Sequence, residues 1–287
     1  MQEFFVILML EMTTERGSKY YSEIGRVGGA RRVALHGNPG TLEGRSKGGQ
    51  NAIRSMRGRK TLFKAEKIVL VRKNIFLAEF MGILFGDGHV GKYQTSITLD
   101  SETDAEYIAF VIDGIQNNFS VIPAARKRKN ARAIEICISS VSFSRHMVRF
   151  GMKEGNKIQN GFRIPEWIFN SDKYLRAFMR GLFDTDGSIF LDRKIVKKKS
   201  YAYVGMAITS ASADLRSDIL RAFKQLGFSP TNTSKQISIY LRKRPDIDSY
   251  FSKVASHNPK HCVRYETFKK ETWQSGRMRH TRNVVDG

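Results

Sequence analysis

Two runs of the sequence share one pattern of apolar and polar positions, and they predict two similar helices. Residues 80–88 and 178–187 are rich in apolar residues, and each has an interior glycine at a matched position, Gly82 in the first run and Gly181 in the second. Five residues after that glycine each run has an aspartate, which a second glycine follows. An interior glycine destabilises a helix, so its presence indicates that something comes close to the backbone there. The pattern therefore predicts two helices that pack together and that end at their second glycines.

The aspartates near the ends of the two runs are Asp87 and Asp186. If the helices pack at their interior glycines, these two carboxylates meet, because each follows its glycine at the same interval. A single carboxylate at a helix end is more often a cap or a solvated group. Two carboxylates at matched positions of a repeat favour a shared function.

The segments that follow the two runs also repeat, which predicts two related halves. Each half continues with an alternating strand, an amphipathic helix, a basic hairpin and a short helix. These segments are residues 93–99, 103–119, 126–138 and 142–150 in the first half, and residues 201–209, 213–226, 235–244 and 246–254 in the second. The linker between the halves is predicted at residues 163–168, which include a proline. The fold class is therefore predicted to be α/β (α+β).

Residues 1–73 lack a sustained apolar period and are basic and rich in glycine. Their only long apolar run, residues 4–10, is far shorter than the ~20 residues of a membrane span and lacks the features of a signal peptide. A glycine, a basic residue and a double glycine recur at residues 25–32 and 44–51. We predict a flexible arm that follows DNA without reading its sequence, and a solvated linker is the alternative.

The amino-acid composition favours one class of binding partner. The 287 residues include 49 Lys+Arg against 27 Asp+Glu, a net charge of +22, and 41% are hydrophobic, enough to bury a core. So large a positive charge favours a polyanionic partner, with nucleic acid ahead of an acidic membrane. Two cysteines, Cys137 and Cys262, exclude a disulfide framework and a multi-cysteine zinc site. We expect a soluble intracellular protein without a membrane partner.

The two helix motifs, within a repeated basic α/β chain, resemble those of the single-chain, two-motif LAGLIDADG homing endonucleases. The resemblance covers about residues 74–271, and the second motif, which ends in Leu182–Gly187, is close to the family pattern. In the first motif Phe85 stands where the pattern has its earlier aspartate, which is Asp184 in the second motif.

The resemblance implies two αββαββα halves related by a pseudo-twofold axis, with the motif helices packed at their interface. Gly82 and Gly181 would lie at the close approach, and saddle-shaped antiparallel sheets would lie along the DNA major groove. The implied organisation is a basic arm at residues 1–73, a first half at 74–165 and a second half at 166–287 with a basic C-terminal tail. The protein would be a monomer with internal pseudo-symmetry.

Hydrolysis of a phosphodiester requires an activated water and a neutralised phosphate, and carboxylates assist by holding hard cations. Asp87 and Asp186 correspond to the family's metal-binding pair. Gly86 and Thr185, which directly precede them, are expected to complete the metal site. The expected cofactor is Mg²⁺, which Mn²⁺ is expected to replace.

The resemblance also implies further residues at the site. A lysine in each half, Lys157 and Lys260, would stabilise charge on the phosphate, and an ordinary phosphate contact is the alternative for either. The strand-end positions Asp100 and Ser210 correspond by repeat alignment to polar residues that orient water in the family.

Candidate DNA contacts lie on the strands and the basic hairpins. Gln, Arg and Lys are the best donors to base edges, whereas contacts to phosphate set affinity and register. The candidates are Gln94, Arg126, Arg128, Lys197, Lys199, Lys235, Gln236 and Arg242.

Two functions are compatible with these features. The first is a site-specific, metal-dependent double-strand DNA endonuclease. The alternative is a non-catalytic nucleic-acid binder on the same scaffold, either an intron RNA maturase or a WhiA-like DNA-binding regulator. Two retained aspartates and two lysines favour the enzyme, because a binder has no need of anionic groups that face phosphate.

Overall fold

The structure is a computed structural model that describes residues 21–38, 40–58, 68–156, 161–196, 199–232 and 237–282. The chain divides into two compact units, Met1–Ala65 and Glu66–Gly287. Each unit is described by itself below.

The described part of the first unit is helical. Helix α1 comprises residues 21–36 and helix α2 comprises Leu42–Gly58. Between them Gly37 has a φ of +73°, in the left-handed region that favours glycine. The predicted flexible arm is therefore wrong for these two segments. The sequence pattern did not predict these helices, because both contain several glycines and few of their side chains are buried.

The first half of the second unit has the element order αββαββα. Its elements are α3 (Ile75–Gly86), β1 (Gly88–Val90), β2 (Thr95–Asp100), α4 (Ala105–Phe119), β3 (Ala124–Lys127), β4 (Ala133–Ile138) and α5 (Val141–Arg149). The strands form an antiparallel sheet in the order β1-β2-β4-β3. Asn74 begins α3, because its side chain accepts a hydrogen bond from the backbone N–H of Leu77 at 2.7 Å.

The second half repeats much of this order. Its elements are α6 (Glu166–Phe169), α7 (Asp172–Asp186), β5 (Gly187–Val196), β6 (Lys199–Thr209), α8 (Ala213–Gln225), β7 (Ser238–Leu241), α9 (Arg244–Lys253) and α10 (Pro259–Arg282). Strands β5, β6 and β7 form an antiparallel sheet in that order. At the position of β3, the described residues contain an isolated bridge between Thr231 and Tyr240.

The core follows the apolar periodicity of the sequence. The buried face of α4 includes Tyr107, Val111 and Ile115, and that of α8 includes Leu215 and Ile219. Helix α3 is different, because nine of its residues are buried and it has no exposed stripe. A helix that is apolar on all sides lies inside a fold, and α3 lies between its own sheet and α7.

The predicted linker is an ordered connection that enters the second half. Ile164 is buried, and its backbone N–H donates to Asp218 of α8 at 2.8 Å. Arg163 forms an ion pair with Asp214 on the same helix at 3.0 Å. The linker thereby fastens the start of the second half to α8. The predicted basic tail is likewise helical as far as Arg282, within α10.

The antiparallel sheets and packed helices confirm the predicted α/β (α+β) class. Within the part of the chain that the structure describes, no helix is both long enough and apolar enough to cross a membrane.

Candidate functional site

The two motif helices, α3 and α7, touch backbone to backbone at their interior glycines. A Cβ atom at Gly82 would collide with the carbonyl oxygen of Phe178, and a Cβ atom at Gly181 would collide with the carbonyl oxygen of Glu79. The two collisions are equivalent across the helix pair, so each helix presents a glycine to the backbone of the other. Any larger side chain at either position would force the helices apart.

This packing brings the C-terminal ends of the two helices together. A Cβ atom at Gly86 would collide with the side chain of Thr185 and would lie 3.3 Å from the carboxyl carbon of Asp186. Asp87 directly follows Gly86 and caps α3, donating its backbone N–H to Ile83 at 3.1 Å. The structure therefore brings together the four residues assigned to the metal site by sequence.

Asp87 and Asp186 lie at the ends of the two motif helices and remain accessible. Both residues are half-buried, so water and a phosphate can reach them. The backbone carbonyl of Asp87 accepts from the N–H of Thr98 at 3.1 Å, which joins the end of α3 to β2. Two carboxylates and adjoining oxygen atoms on fixed helix ends suit Mg²⁺ or Mn²⁺, which prefer oxygen ligands.

A buried ion pair crosses the helix interface beside the glycines, with Glu79 about one turn before Gly82 and Arg180 directly before Gly181. The guanidinium of Arg180 contacts both carboxylate oxygens of Glu79, at 2.6 and 3.1 Å, and donates to the carbonyl of Val254 at 3.0 Å. Burial by itself would raise the pKa of Glu79, but hydrogen bonds from His257 and Arg180 hold this pKa below its ordinary value. No local pattern in the sequence marks this pair, because its members are about one hundred residues apart.

Asp184 lies beside this pair and is fully buried. Its two oxygens accept hydrogen bonds from the Ser256 hydroxyl and from the backbone N–H of His257. Burial raises the pKa of Asp184 to about 7, although these hydrogen bonds oppose the shift. At the matching position in the first half, the Phe85 ring lies 4.0 Å from the Phe162 ring. The two halves therefore use different chemistry at equivalent positions.

The carboxylates of Glu79 and Asp184 and the imidazole of His257 form a second cluster with metal-ligand character. Their ligand atoms lie within 4.8 Å of one another. However, Arg180 already occupies both oxygens of Glu79, and protein donors occupy both oxygens of Asp184. A cation here would also face the guanidinium charge. The contacts of this cluster are accordingly those of a structural network.

Of the two lysines predicted at the site, the structure describes Lys260. The ammonium group of Lys260 lies 2.7 Å from a carboxylate oxygen of Asp104, whose side chain is almost fully buried. Asn258 donates to the same carboxylate at 2.7 Å and to the carbonyl of Asp184 at 3.0 Å. Lys260 is therefore held at the beginning of α4. Lys157 lies outside the described residues.

The strand-end residues Asp100 and Ser210 both take part in turns. The backbone N–H groups of Thr103 and Glu102 donate to Asp100 at 2.8 and 2.9 Å, and these bonds keep its pKa well below the ordinary value. The hydroxyl of Ser210 accepts from the N–H of Ser212 at 3.3 Å. These contacts fix the turns into α4 and α8, and the role in orienting water stays a prediction.

The structure describes the side chains of four of the predicted DNA contacts. Gln94 and Arg126 are exposed, and Arg128 pairs with Glu135 across the hairpin at 3.1 Å. Arg242 pairs with Asp192 at 3.2 Å. Lys197, Lys235 and Gln236 lie outside the described residues, and only the backbone of Lys199 is described, at the start of β6.

Comparison with known proteins agrees with this geometry. Residues 173–253 match the family described as LAGLIDADG-like domain. The chain is also similar to the crystal structure of the LAGLIDADG meganuclease I-AabMI bound to uncleaved DNA, with a TM-score of 0.50 and 11% identity over 72% of this chain and 92% of that chain. At this identity the likeness shows the fold. The LAGLIDADG resemblance drawn from the motifs is confirmed.

Three curated relatives match a part of the chain. The tRNA-splicing ligase RtcB of Methanopyrus kandleri is 28% identical over 161 residues, which are 51% of this chain and 16% of that protein. The replication factor C small subunit of Methanocaldococcus jannaschii is 31% identical over 39% of this chain and 7% of that protein. The DNA polymerase of Thermococcus hydrothermalis is 29% identical over 53% of this chain and 9% of that protein. The chain thus spans less than a fifth of each of these relatives.

Proposed function

We propose that this protein, whose second half contains a LAGLIDADG-like domain on a meganuclease fold, is a site-specific, metal-dependent double-strand DNA endonuclease. One observation carries the proposal. Packing at Gly82 and Gly181 brings Gly86, and with it Asp87, against Asp186 at the end of the motif helices. The net charge of +22 suits a DNA partner, and the meganuclease that shares the fold is bound to uncleaved DNA.

Each part of the chain has a distinct role in the proposed mechanism. Asp87 and Asp186 would hold Mg²⁺, which Mn²⁺ would be able to replace. When bound there, a divalent cation activates water and neutralises charge on the scissile phosphate. The glycine contact and the Glu79–Arg180 pair fix the spacing of the carboxylates. The candidate contacts on the strands and hairpins, among them Gln94, Arg126 and Arg128, bind DNA through base edges for specificity and through phosphate for affinity and register.

The curated relatives support an activity distinct from those in their names. An RNA ligase, a replication factor and a DNA polymerase have unlike chemistries, yet all three match this chain over a small share of their length. Similarity confined to a small part of such different proteins is best explained by an activity of the matched part itself. We therefore do not propose ligation or polymerisation for this chain.

The test replaces each aspartate in turn by its neutral isostere. Asp87→Asn and Asp186→Asn should each abolish double-strand cleavage of a randomised DNA library in Mg²⁺, because the metal loses a charged ligand. Binding of DNA should be retained, because neither residue is a cation that contacts phosphate. The readout is high-throughput sequencing of the cut ends, together with a gel-shift measurement of affinity.

Asp113→Asn is the matched comparison, because this exposed aspartate on α4 undergoes the same change away from the helix ends. It should leave cleavage unaltered. Full double-strand cleavage by either site variant would refute the assigned metal pair.

The second candidate is a nucleic-acid binder without cleavage activity, an intron RNA maturase or a WhiA-like regulator. One observation favours it: the Lys260 ammonium is paired with Asp104. If this pair persists on DNA, Lys260 cannot stabilise charge at a phosphate. Tight DNA or RNA binding by the wild type, without cleavage in Mg²⁺ or Mn²⁺ over the whole library, would establish this candidate.

A further inference from the structure

Helices α1 and α2 enclose a cleft of about 500 Å³ that the proposed endonuclease reaction does not use. Its walls carry polar side chains from both helices. They are Arg32 and His36 from α1, and Arg45, Asn51 and Ser55 from α2. Among the residues that the structure describes, no acidic side chain lines the cleft.

The two arginines of the cleft are available to an anion. Within the described residues, neither Arg32 nor Arg45 takes part in an ion pair, whereas Arg26 on α1 is paired with Glu23 at 2.6 Å. Residues 21–58 contain seven Lys and Arg against two Glu, so the surrounding field is also positive. Cationic side chains in an electropositive cleft attract anionic ligands.

Internal packing does not explain Gly48 and Gly49, two of the glycines that line the cleft. A Cβ atom at Gly48 would meet nothing within 4 Å, and the same is true of Gly49. By contrast, a Cβ atom at Gly44 would collide with the carbonyl of Asn38, so that glycine is required by the turn. Glycine within a helix is destabilising relative to alanine. Because Gly48 and Gly49 have no side chains, a ligand in the cleft can approach the α2 backbone.

The shape of the cleft is held by hydrogen bonds between its walls. The side-chain amide of Asn51 donates to the carbonyl of Leu35 at 3.2 Å and lies 3.4 Å from the ring of His36. The turn is closed by Thr41, whose hydroxyl donates to the carbonyl of Asn38 at 2.9 Å and accepts from the N–H of Gly44 at 3.0 Å. The arginines are thus presented on a preformed frame, which lowers the entropic cost of binding.

We propose that the α1–α2 cleft is a second nucleic-acid site, which holds the phosphodiester backbone of duplex DNA between Arg32 and Arg45. The site goes beyond the proposed cleavage reaction, because it adds affinity without reading sequence. Because it is tethered to the second unit, it raises the effective concentration of DNA near that unit.

The first experiment measures affinity of the full chain for a fluorescent duplex that lacks a cleavage site, in EDTA, over a series of salt concentrations. The double variant Arg32→Glu/Arg45→Glu should bind at least roughly tenfold more weakly at low salt. The slope of log affinity against log salt should become shallower by about 2, because two phosphate contacts are lost.

Arg31→Glu/Arg54→Glu is the matched double variant, since it makes the same change of charge at exposed positions of α1 and α2 outside the cleft. It should weaken binding much less. Equal weakening by the two double variants would mean a diffuse electrostatic effect and would overturn the site.

A second experiment alters the shape of the cleft without changing charge. Gly48→Leu should weaken duplex binding, because its side chain occupies the space between the walls. Gly28→Leu, on α1 and outside the lining of the cleft, should leave affinity unaltered. Circular dichroism should show no loss of helix in either variant, because leucine is a better helix former than glycine. Unaltered affinity in Gly48→Leu would reject the cleft as the binding site.

Two further measurements separate this inference from the proposed nuclease and from another polyanion. Asp87→Asn should abolish cleavage and keep the duplex affinity of the cleft, whereas Arg32→Glu/Arg45→Glu should lose that affinity and still cut target DNA when protein is saturating. Single-stranded RNA should compete less well than duplex DNA in the binding assay. Stronger competition by RNA would show that the duplex assignment is wrong.

Discussion

At the scale of single residues, the buried pair of Glu79 and Arg180 is the most consequential feature of the helix interface. Both side chains are largely buried, at 6% and 16% exposure. A buried ion pair contributes little net stability when complete, but loss of one member leaves an uncompensated charge. The pair therefore affects the free energy of unfolding mainly when one of its two members is removed.

We expect Arg180→Met to lower the free energy of unfolding by about 3–5 kcal/mol, because Glu79 is left buried and unpaired. Replacing both members, as Glu79→Leu/Arg180→Met, should recover much of this loss. Arg176→Met, at a more accessible position of the same helix, should change stability by less than about 0.5 kcal/mol. Urea denaturation checks all three values, and a double variant no better than Arg180→Met alone would contradict the account.

The same pair predicts a pH dependence. The pKa of Glu79 in the folded state is lower than its ordinary value of 4.5, so the unfolded state binds more protons as the pH falls. Its contribution to stability is therefore complete above about pH 4.5 and is lost as the pH falls through the folded-state pKa. We expect Glu79→Gln to lose less stability than the wild type between pH 5 and pH 3, measured by urea denaturation. Parallel stability curves for the two proteins would argue against this assignment.

At the scale of elements, the contact between α3 and α7 depends on two glycines. We expect Gly82→Ala and Gly181→Ala each to lower stability by about 3 kcal/mol, because the added methyl group meets the backbone of the partner helix. Gly91→Ala makes the same change where the nearest atom is 3.5 Å away, and it should be nearly neutral. Thermal unfolding would test the three variants, and a neutral result for Gly82→Ala would contradict the close packing.

The loop between α9 and α10 connects elements of both halves. Asn258 is fully buried and bonds to Asp104 at the start of α4 and to the backbone of α7. His257 extends the network to Glu79 on α3. This loop therefore fixes α3, α4 and α7 relative to one another. The arrangement supports the helix ends at which the metal is proposed to bind.

At the scale of the whole second unit, the two halves are similar in fold but differ at their interface. Phe85 packs against the Phe162 ring in one half, whereas Asp184 accepts hydrogen bonds from Ser256 and His257 in the other. The Glu79–Arg180 pair likewise joins one half to the other. The halves are therefore complementary rather than interchangeable, which suits a monomer with internal pseudo-symmetry.

Removal of metal should separate the two activities proposed for this unit. Addition of EDTA should abolish DNA cleavage, because the carboxylates alone do not activate water. Binding of duplex DNA should persist, since exposed basic side chains provide most of its affinity. Mg²⁺ or Mn²⁺ should restore cleavage. A cleavage assay and a gel shift on the same samples would test this, and cleavage that continues in EDTA would exclude the mechanism.

Most of the fold of the second unit followed from the sequence, because its elements depend on local periodicity. The helix that ends at Phe119 and strand β4 were placed to within two residues, since their apolar spacing is regular. The contact of Gly82 with the opposite helix could also be predicted, because an interior glycine destabilises a helix and indicates a close approach to its backbone. Helices α1 and α2 were missed, because their glycines lower helix propensity and little apolar surface marks them.

The sequence by itself determined the repeat, the fold class and the four residues at the helix ends, since each depends on patterns within a short stretch or on a matched interval between two stretches. Only the tertiary structure decided the partners of Glu79, Asp184 and Lys260, and it also revealed the cleft between α1 and α2. These features arise where segments distant in the chain, or two separate helices, meet. No local spacing encodes such contacts, because burial and hydrogen-bond partners are fixed only when the elements pack.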